Sequence, residues 1–306
     1  MLSAQHKVVS RDVISNSTVG LALSEGRASL AQMTDSPSLE ASLLLASILG
    51  KPRSWIVTHP EAPLAADDLA AFHQVLTQVA QGTALPYVLG QWAFFGRDFE
   101  VTPDVLIPRP ETEGLVESAL EFGHRRADGL RAVDIGTGSG CIVVTLAASL
   151  PHSHWLATDV DPRALRVARR NALRHAVQER IRFICCDLAV ALTGGFDLVC
   201  ANLPYIPTSR LSNLEVARRE PPRALDGGAD GLALISILIR DLPRVLLPAG
   251  RALLEIDDSQ AGMLQRAAKE ANPRAEVTLL TDLAGEARVL QIDRWNEVDE
   301  DRHLQR

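Results

Sequence analysis

From about residue 130 the chain alternates short apolar runs with helical patterns, and this alternation narrows its fold more than any other feature. Ala132–Ile135, Trp155–Thr158, Ile181–Ile184, Asp197–Ala201, Ala252–Ile256, Val277–Leu280 and Arg288–Ile292 read as strands. Helical patterns lie between them at Cys141–Leu150, Leu232–Leu247 and Gln260–Ala271. Asp161-Pro162 opens a further helix, with aspartate at the N-cap and proline at the first helical position. Leu165, Ala168 and Ala172 line its buried face. Strands alternating with helices predict an α/β fold: a mostly parallel sheet with helices on both faces.

The first part of the chain follows a different rule. Residues 1–25 are polar and aperiodic, and the expectation is a flexible N-terminus. Residues 26–85 form a helical domain, in which Leu69, Phe72, Leu76 and Val79 repeat at helical spacing. Pro52, Pro60 and Pro63 divide it into short helices. Residues 86–128 supply a β-hairpin and linker. There Tyr87-Val88-Leu89-Gly90 and Trp92-Ala93-Phe94-Phe95-Gly96 are aromatic and β-branched, with glycines suited to turns. Pro103, Pro108 and Pro110 fix an extended loop before a helix near Glu111. The α/β domain then spans 129–295, and 296–306 is a C-terminal tail.

Composition removes several classes. With 306 residues, 46% apolar and 23% charged, the chain can bury a sizeable core. Its longest apolar stretches, Leu43–Leu49 and Leu232–Ile239, fall far short of the roughly 20 residues that span a bilayer. Met1 to Ser17 lacks an apolar signal region, so a cytoplasmic location with no membrane association is expected. A net charge of −7 and scattered basic pairs argue against a general duplex-DNA binder. Cys141, Cys185, Cys186 and Cys200 form no C-x-x-C pair and read as small buried residues. Neither they nor the eight histidines have metal-ligand spacing, and no metal is expected.

Four constellations follow the strands. Asp134-Ile135-Gly136-Thr137-Gly138-Ser139-Gly140 is a glycine-rich turn between a strand and a helix N-terminus, suited to close backbone approach and to an anion. A dinucleotide fingerprint needs its third glycine at 141, where Cys141 stands. Asp159 ends the next strand, where an acid can accept bonds from both ribose hydroxyls of a nucleoside cofactor. Asp161 already caps the following helix, which leaves Asp159 free for that role. Asp187-Leu188 follows the third strand, where the acid can accept an adenine amino group and its neighbour can pack on the ring.

Asn202-Leu203-Pro204-Tyr205 comes directly after the fourth strand. Ligands of open α/β sheets bind beyond the carboxyl ends of strands, so this loop falls beside the glycine turn. An amide-type nitrogen is a poor nucleophile because its lone pair is delocalised. The Asn202 side-chain carbonyl and the backbone carbonyl of 203 can accept its two N–H bonds, turning the lone pair towards an electrophile and stabilising the developing charge. Tyr205 can cover the substrate plane.

The G-x-G-x-G spacing with its preceding acid resembles the cofactor loop of class I methyltransferases, and Asn202–Tyr205 is similar to the N-P-P-Y group of amino methyltransferases. Val105-Leu106-Ile107-Pro108-Arg109-Pro110-Glu111-Thr112-Glu113, Tyr87–Gly90, Glu220–Leu232, Asp282–Gly285 and Arg288-Val289 together resemble the HemK family of peptide-chain release factor glutamine methyltransferases, from about residue 27 to 293. The resemblance implies a Rossmann-like class I methyltransferase fold with S-adenosyl-L-methionine as cofactor. Gly136, Thr137, Gly138, Ser139, Gly140, Asp159, Asp187, Leu188 and Asn202 would bind the cofactor; Asn202, Leu203, Pro204 and Tyr205 would be catalytic. It also implies methylation of the glutamine in the Gly-Gly-Gln tripeptide of class 1 release factors, with the helical domain recognising that partner and no direct nucleic-acid substrate.

Two positions depart from the pattern. Leu203 stands where the family has the first proline; it keeps the carbonyl but allows the loop more freedom. Asp257 replaces the glycine of an L-E-I-G segment, Leu254-Glu255-Ile256-Asp257. Asn-Leu-Pro-Tyr is also similar to the loop of ribosomal-RNA adenine dimethyltransferases, so methylation of adenine N6 in RNA or DNA, with the base flipped onto Tyr205, is the alternative enzyme. A non-catalytic cofactor-binding partner of a translation factor is the third reading.

Overall fold

The computed structural model describes residues 17–126 and 129–294, so the expected tail at 296–306 and most of the expected flexible N-terminus lie outside the described residues. The chain divides into two compact units between Leu89 and Gly90.

The first unit is helical: α1 (Val19–Leu30), α2 (Pro37–Leu49), α3 (Arg53–Thr58), α4 (Ala66–Ala80) and α5 (Leu85–Leu89). Its core is built from Leu30, Leu44, Leu45, Ile56 and Phe72, all fully buried. Two expectations change here. Residues 19–25 are not an aperiodic tail but most of α1, capped by the Thr18 hydroxyl, which accepts from Leu21 N–H. Tyr87–Leu89 is the end of a helix rather than a strand, and Gly90, at φ 69, releases the chain from it.

In the second unit the hairpin is β1 (Gln91–Phe94) and β2 (Arg97–Glu100), antiparallel, turning through Phe95 and Gly96, both at positive φ. After α6 (Glu113–His124) the expected alternation appears: β3 (Leu130–Ile135), α7 (Cys141–Ser149), β4 (Ser153–Asp159), α8 (Pro162–Arg174), β5 (Ile181–Cys185) and β6 (Phe196–Ala201). Two short turns of helix, α9 (Thr208–Leu211) and α10 (Val216–Arg219), precede α11 (Ala233–Val245), β7 (Leu246–Glu255), α12 (Ala261–Ala271), β8 (Glu276–Thr281) and β9 (Ala287–Asp293).

The seven-stranded sheet runs β5-β4-β3-β6-β7-β9-β8. Its first five strands are parallel, and β9 is antiparallel to both of its neighbours. Two apolar layers cover it. One gathers Val133, Ile135, Val199 and Leu254 with α11 and α12; the other gathers Ala132, Leu198 and Leu253 with α6 and α7. Strand order reverses at β3, whose neighbours are β4 and β6. That reversal opens the crevice in which sheets of this kind bind ligands.

Candidate active site

Register brings the candidate residues to one edge of the sheet. Ile135, the last residue of β3, pairs with Thr158 on one side and Ala201 on the other. The residues that follow, Gly136, Asp159 and Asn202, therefore leave the sheet at the same level. Asp159 itself pairs with Cys185, so Asp187 emerges from β5 along the same rim.

The glycine turn is shaped by backbone angles that a side chain strains to adopt. Gly136, Gly138 and Gly140 stand at φ 74, 54 and 80. A Cβ on Gly136 would lie 2.8 Å from Leu203 Cδ2, and one on Gly140 would press on Ala168 of α8. At Gly138 nothing lies within 4 Å. The turn is thus packed at both ends and open in the middle, a cradle of backbone leading into the N-terminus of α7. Behind it, the Thr137 hydroxyl donates to Asp134 Oδ2 at 2.6 Å, and Asn171 Nδ2 donates to the Ser139 carbonyl at 2.9 Å. Asn171 also accepts from Glu100 N–H at 2.7 Å, tying the turn to the hairpin.

Asp134 is fully buried and its Oδ1 has no partner among the described residues. Burial pushes its carboxyl up to about 7, against the Thr137 hydroxyl and the Val143 backbone, which favour the charged form. Asp159 is more engaged than sequence predicts. Asp161 does cap α8, accepting from Arg163 N–H at 2.8 Å. Asp159, however, is not free: its Oδ1 accepts from Asp161 N–H at 2.8 Å and its Oδ2 from Gly138 N–H at 2.9 Å. Burial raises its pKa while those two backbone bonds lower it. Each carboxylate oxygen retains a lone pair for a further donor.

Asp187 is exposed, whereas Leu188, held at φ 43, is buried in the apolar layer with Ile135 and Leu203. The cysteines are free, but Cys185 is exposed and Cys141 and Cys186 half-buried; only Cys200 is buried as expected. Among the described residues no group of three or more His, Cys, Asp or Glu could hold a metal ion. No helix there is long and apolar enough to cross a membrane.

At Asn202, Nδ2 donates to the Thr112 hydroxyl at 3.1 Å, which turns Oδ1 away from Thr112. Leu203 is 5% exposed and fills the space under Gly136, so the departure from proline serves packing. Its neighbour Tyr205 is pushed up to about 12 by burial and by the negative charges of Glu255 and Asp257. The Tyr205 carbonyl accepts from Gln260 Nε2 at 2.9 Å, anchoring the loop to the start of α12.

Two carboxylates near this loop carry structure that sequence reading did not single out. Glu220 is 7% exposed and binds the backbone N–H of Ile107 at 3.0 Å and the guanidinium of Arg109, holding the Pro108–Thr112 segment beside the site. Glu255, the last residue of β7, lies next to Asn202, because Leu254 and Ala201 are register partners. It is 3% exposed, and burial pushes its carboxyl up to about 7. The sequence signals for Glu255 are an acid ending an apolar strand and its place in the L-E-I-G-like segment Leu254-Glu255-Ile256-Asp257.

Comparison with known proteins identifies the relatives of this chain. The model of the PrmC N-terminal domain matches residues 22–90, and that of the methyltransferase small domain matches 120–219. The release factor glutamine methyltransferase of Geobacter sulfurreducens is 42% identical, covering 74% of this chain and 81% of that protein. The one from Chlorobaculum tepidum is 45% identical over 62% of this chain and 69% of its own length. The one from Cereibacter sphaeroides is 38% identical over 84% and 91%. With the G-x-G-x-G turn, Asp159 and the Asn202 loop on one rim of a class I methyltransferase sheet, the chain belongs to the release factor glutamine methyltransferase family.

Proposed function

We propose that this chain transfers a methyl group from S-adenosyl-L-methionine to the side-chain amide nitrogen of the glutamine in the Gly-Gly-Gln motif of class 1 release factors. The observation that carries the reading is the fixed amide of Asn202. With Nδ2 bonded to Thr112, Oδ1 is the atom left to accept an N–H from a substrate amide, beside the open glycine turn. When bound, the cofactor supplies a sulfonium methyl that departs as sulfur becomes a neutral thioether.

The chain's own groups do the rest. Asp159 accepts from ribose hydroxyls, Asp187 from the adenine amino group, and the backbone of Gly136–Gly140 together with the N-terminus of α7 faces the cofactor's carboxylate. Asn202 Oδ1 and the Leu203 carbonyl take the two N–H groups of the glutamine amide. The nitrogen lone pair then points at the methyl group; as the new N–C bond forms, one N–H proton is released to solvent water, so the nitrogen ends with the methyl and one proton. Tyr205, desolvated and neutral, closes over the amide plane. The helical unit before Gly90 recognises the release factor, and the enzyme works in the cytoplasm without a direct nucleic-acid substrate.

The test is incubation with methyl-labelled cofactor and purified class 1 release factors, followed by peptide mapping. Label on the tripeptide glutamine supports the proposal. Label on RNA or DNA adenine, or none on the factor, overturns it.

A further inference from the structure

Thr112 is 2% exposed and ends the short turn Pro110–Thr112 that leads into α6. Its hydroxyl accepts from Asn202 Nδ2 at 3.1 Å. A buried hydroxyl that accepts in this way must send its own hydrogen to another acceptor. Glu255 can supply that acceptor: it follows Leu254, the register partner of Ala201, so its buried carboxyl stands beside Asn202, and Thr112 and Asn202 both favour its charged form. Glu255 Oε2 is buried and has no hydrogen-bond partner among the described residues, so it is open to such a donor. The carboxyl itself is buried.

An asparagine amide has two orientations of nearly equal shape, and only hydrogen bonds choose between them. Flipped, Asn202 would present its own N–H groups to the N–H groups of a substrate amide. We propose that Glu255 is a positioning residue for methyl transfer: through Thr112 it locks the Asn202 amide with nitrogen inward and Oδ1 towards the substrate. This rests on the reading of Asn202 as the amide acceptor.

The lock depends on charge. An ionised carboxylate only accepts, which suits donation from the Thr112 hydroxyl and Asn202 Nδ2; a protonated one turns an oxygen into a donor and no longer draws those donors inward. Burial and the neighbouring Glu111 hold the Glu255 carboxyl up near 7, opposed by Arg288, Thr112 and Asn202. Tyr205 and Cys141, which also feel the charge of Glu255, are pushed up to about 12 and stay neutral across this range. Turnover therefore falls as pH drops below about 7.

Single-turnover rates of the full chain on a whole release factor, from pH 5.5 to 8.5, test the relay in the parent, Glu255→Gln, Thr112→Val, Thr112→Ser, Asn202→Ala and the double variant Glu255→Gln/Asn202→Ala. Glu255→Gln is expected to lose about tenfold in rate, the worth of one unmade buried hydrogen bond, with cofactor and release-factor affinity changed less than about twofold. Its acid limb near pH 7 should shrink to what the titration of Asp134 leaves. Thr112→Val should fall alike, and Thr112→Ser should restore most of that loss. Because Glu255 acts through Asn202, Glu255→Gln should add nothing in the Asn202→Ala background. A Glu255→Gln enzyme with parental rate and an unchanged acid limb overturns the proposal, and so does a full additional loss in the double variant. If Asn202→Ala keeps normal turnover, it is the acceptor reading that fails. If Glu255→Gln does not fold, the contrast between Thr112→Val and Thr112→Ser decides: equal rates overturn the relay.

Discussion

The backbone N–H of Gly138 donates to Oδ2 of Asp159 across 2.9 Å, joining the middle of the glycine turn to the acid at the end of the neighbouring strand. Two features that sequence reading treats separately are therefore one unit: the carboxylate shapes the turn, and each of its oxygens keeps a lone pair for a further donor.

Asp159→Ala is accordingly expected to weaken cofactor binding on the order of 10- to 100-fold, since charge-assisted bonds contribute about 1.5–3 kcal/mol each. Asp159→Asn, which keeps one acceptor oxygen, should lose less. Calorimetric titration with S-adenosyl-L-methionine measures both. Unchanged affinity in Asp159→Ala removes the ribose assignment.

Asp134 makes stability depend on pH. Its folded pKa is about 7 against 3.8 for an ordinary aspartate, so between those values the folded chain holds a proton that the unfolded chain has released. Its contribution is most favourable below about pH 4, declines as pH rises towards 7, and is flat above. Asp134→Asn removes this decline. The variant's melting temperature relative to the parent should therefore rise from pH 5 to pH 8, by the equivalent of a few kcal/mol at most. A difference that is constant with pH contradicts the buried-carboxyl account.

Leu203 is held by packing as well as by chemistry. Leu203→Ala leaves a void beneath Gly136 and should cost roughly 2–5 kcal/mol in urea denaturation. Leu203→Pro keeps the carbonyl proposed to accept a substrate N–H but trades a buried branched side chain for a smaller ring. It should retain turnover and cost less than about 1.5 kcal/mol. Sequence alone makes that substitution neutral or mildly activating, because it cannot see the side chain seated under the turn.

Glu220 should be structural. Removing it strands the Arg109 guanidinium and the Ile107 N–H around a buried position. Because Arg109 is one-third exposed and water can reach it, Glu220→Ala belongs at the low end of such losses, about 3 kcal/mol, measured by denaturant midpoint. A loss below about 1 kcal/mol would mean that the Pro108–Thr112 segment is held by something else.

The parallel part of the sheet and the rim of the site are legible in sequence because each depends on local pattern: apolar runs set the strands, and Gly136, Asp159 and Asn202 fall just beyond or at their ends. What escaped depends on contacts between distant residues. Thr112 meets Asn202 across 90 positions and Glu220 meets Ile107 across 113, and no spacing rule reaches that far. Helix α1 was missed because its inward face is Val19, Ala22, Gly26 and Leu30, where small residues replace the usual large apolar ones. Gly26 is there to let Phe72 approach: a Cβ would lie 2.8 Å from its ring. Tyr87–Leu89 misled in the opposite sense, since its β-forming residues end a helix only one turn long.

The most direct measurement is the single-turnover rate of methyl transfer to a whole release factor by Asn202→Ala, with cofactor affinity followed in parallel. Loss of one acceptor preorganised for the transition state predicts a fall of roughly 10²–10³ in rate, with label still confined to the tripeptide glutamine and cofactor affinity nearly unchanged. Near-parental turnover, or a loss explained entirely by weaker cofactor binding, would contradict the account of Asn202 as the group that orients the amide.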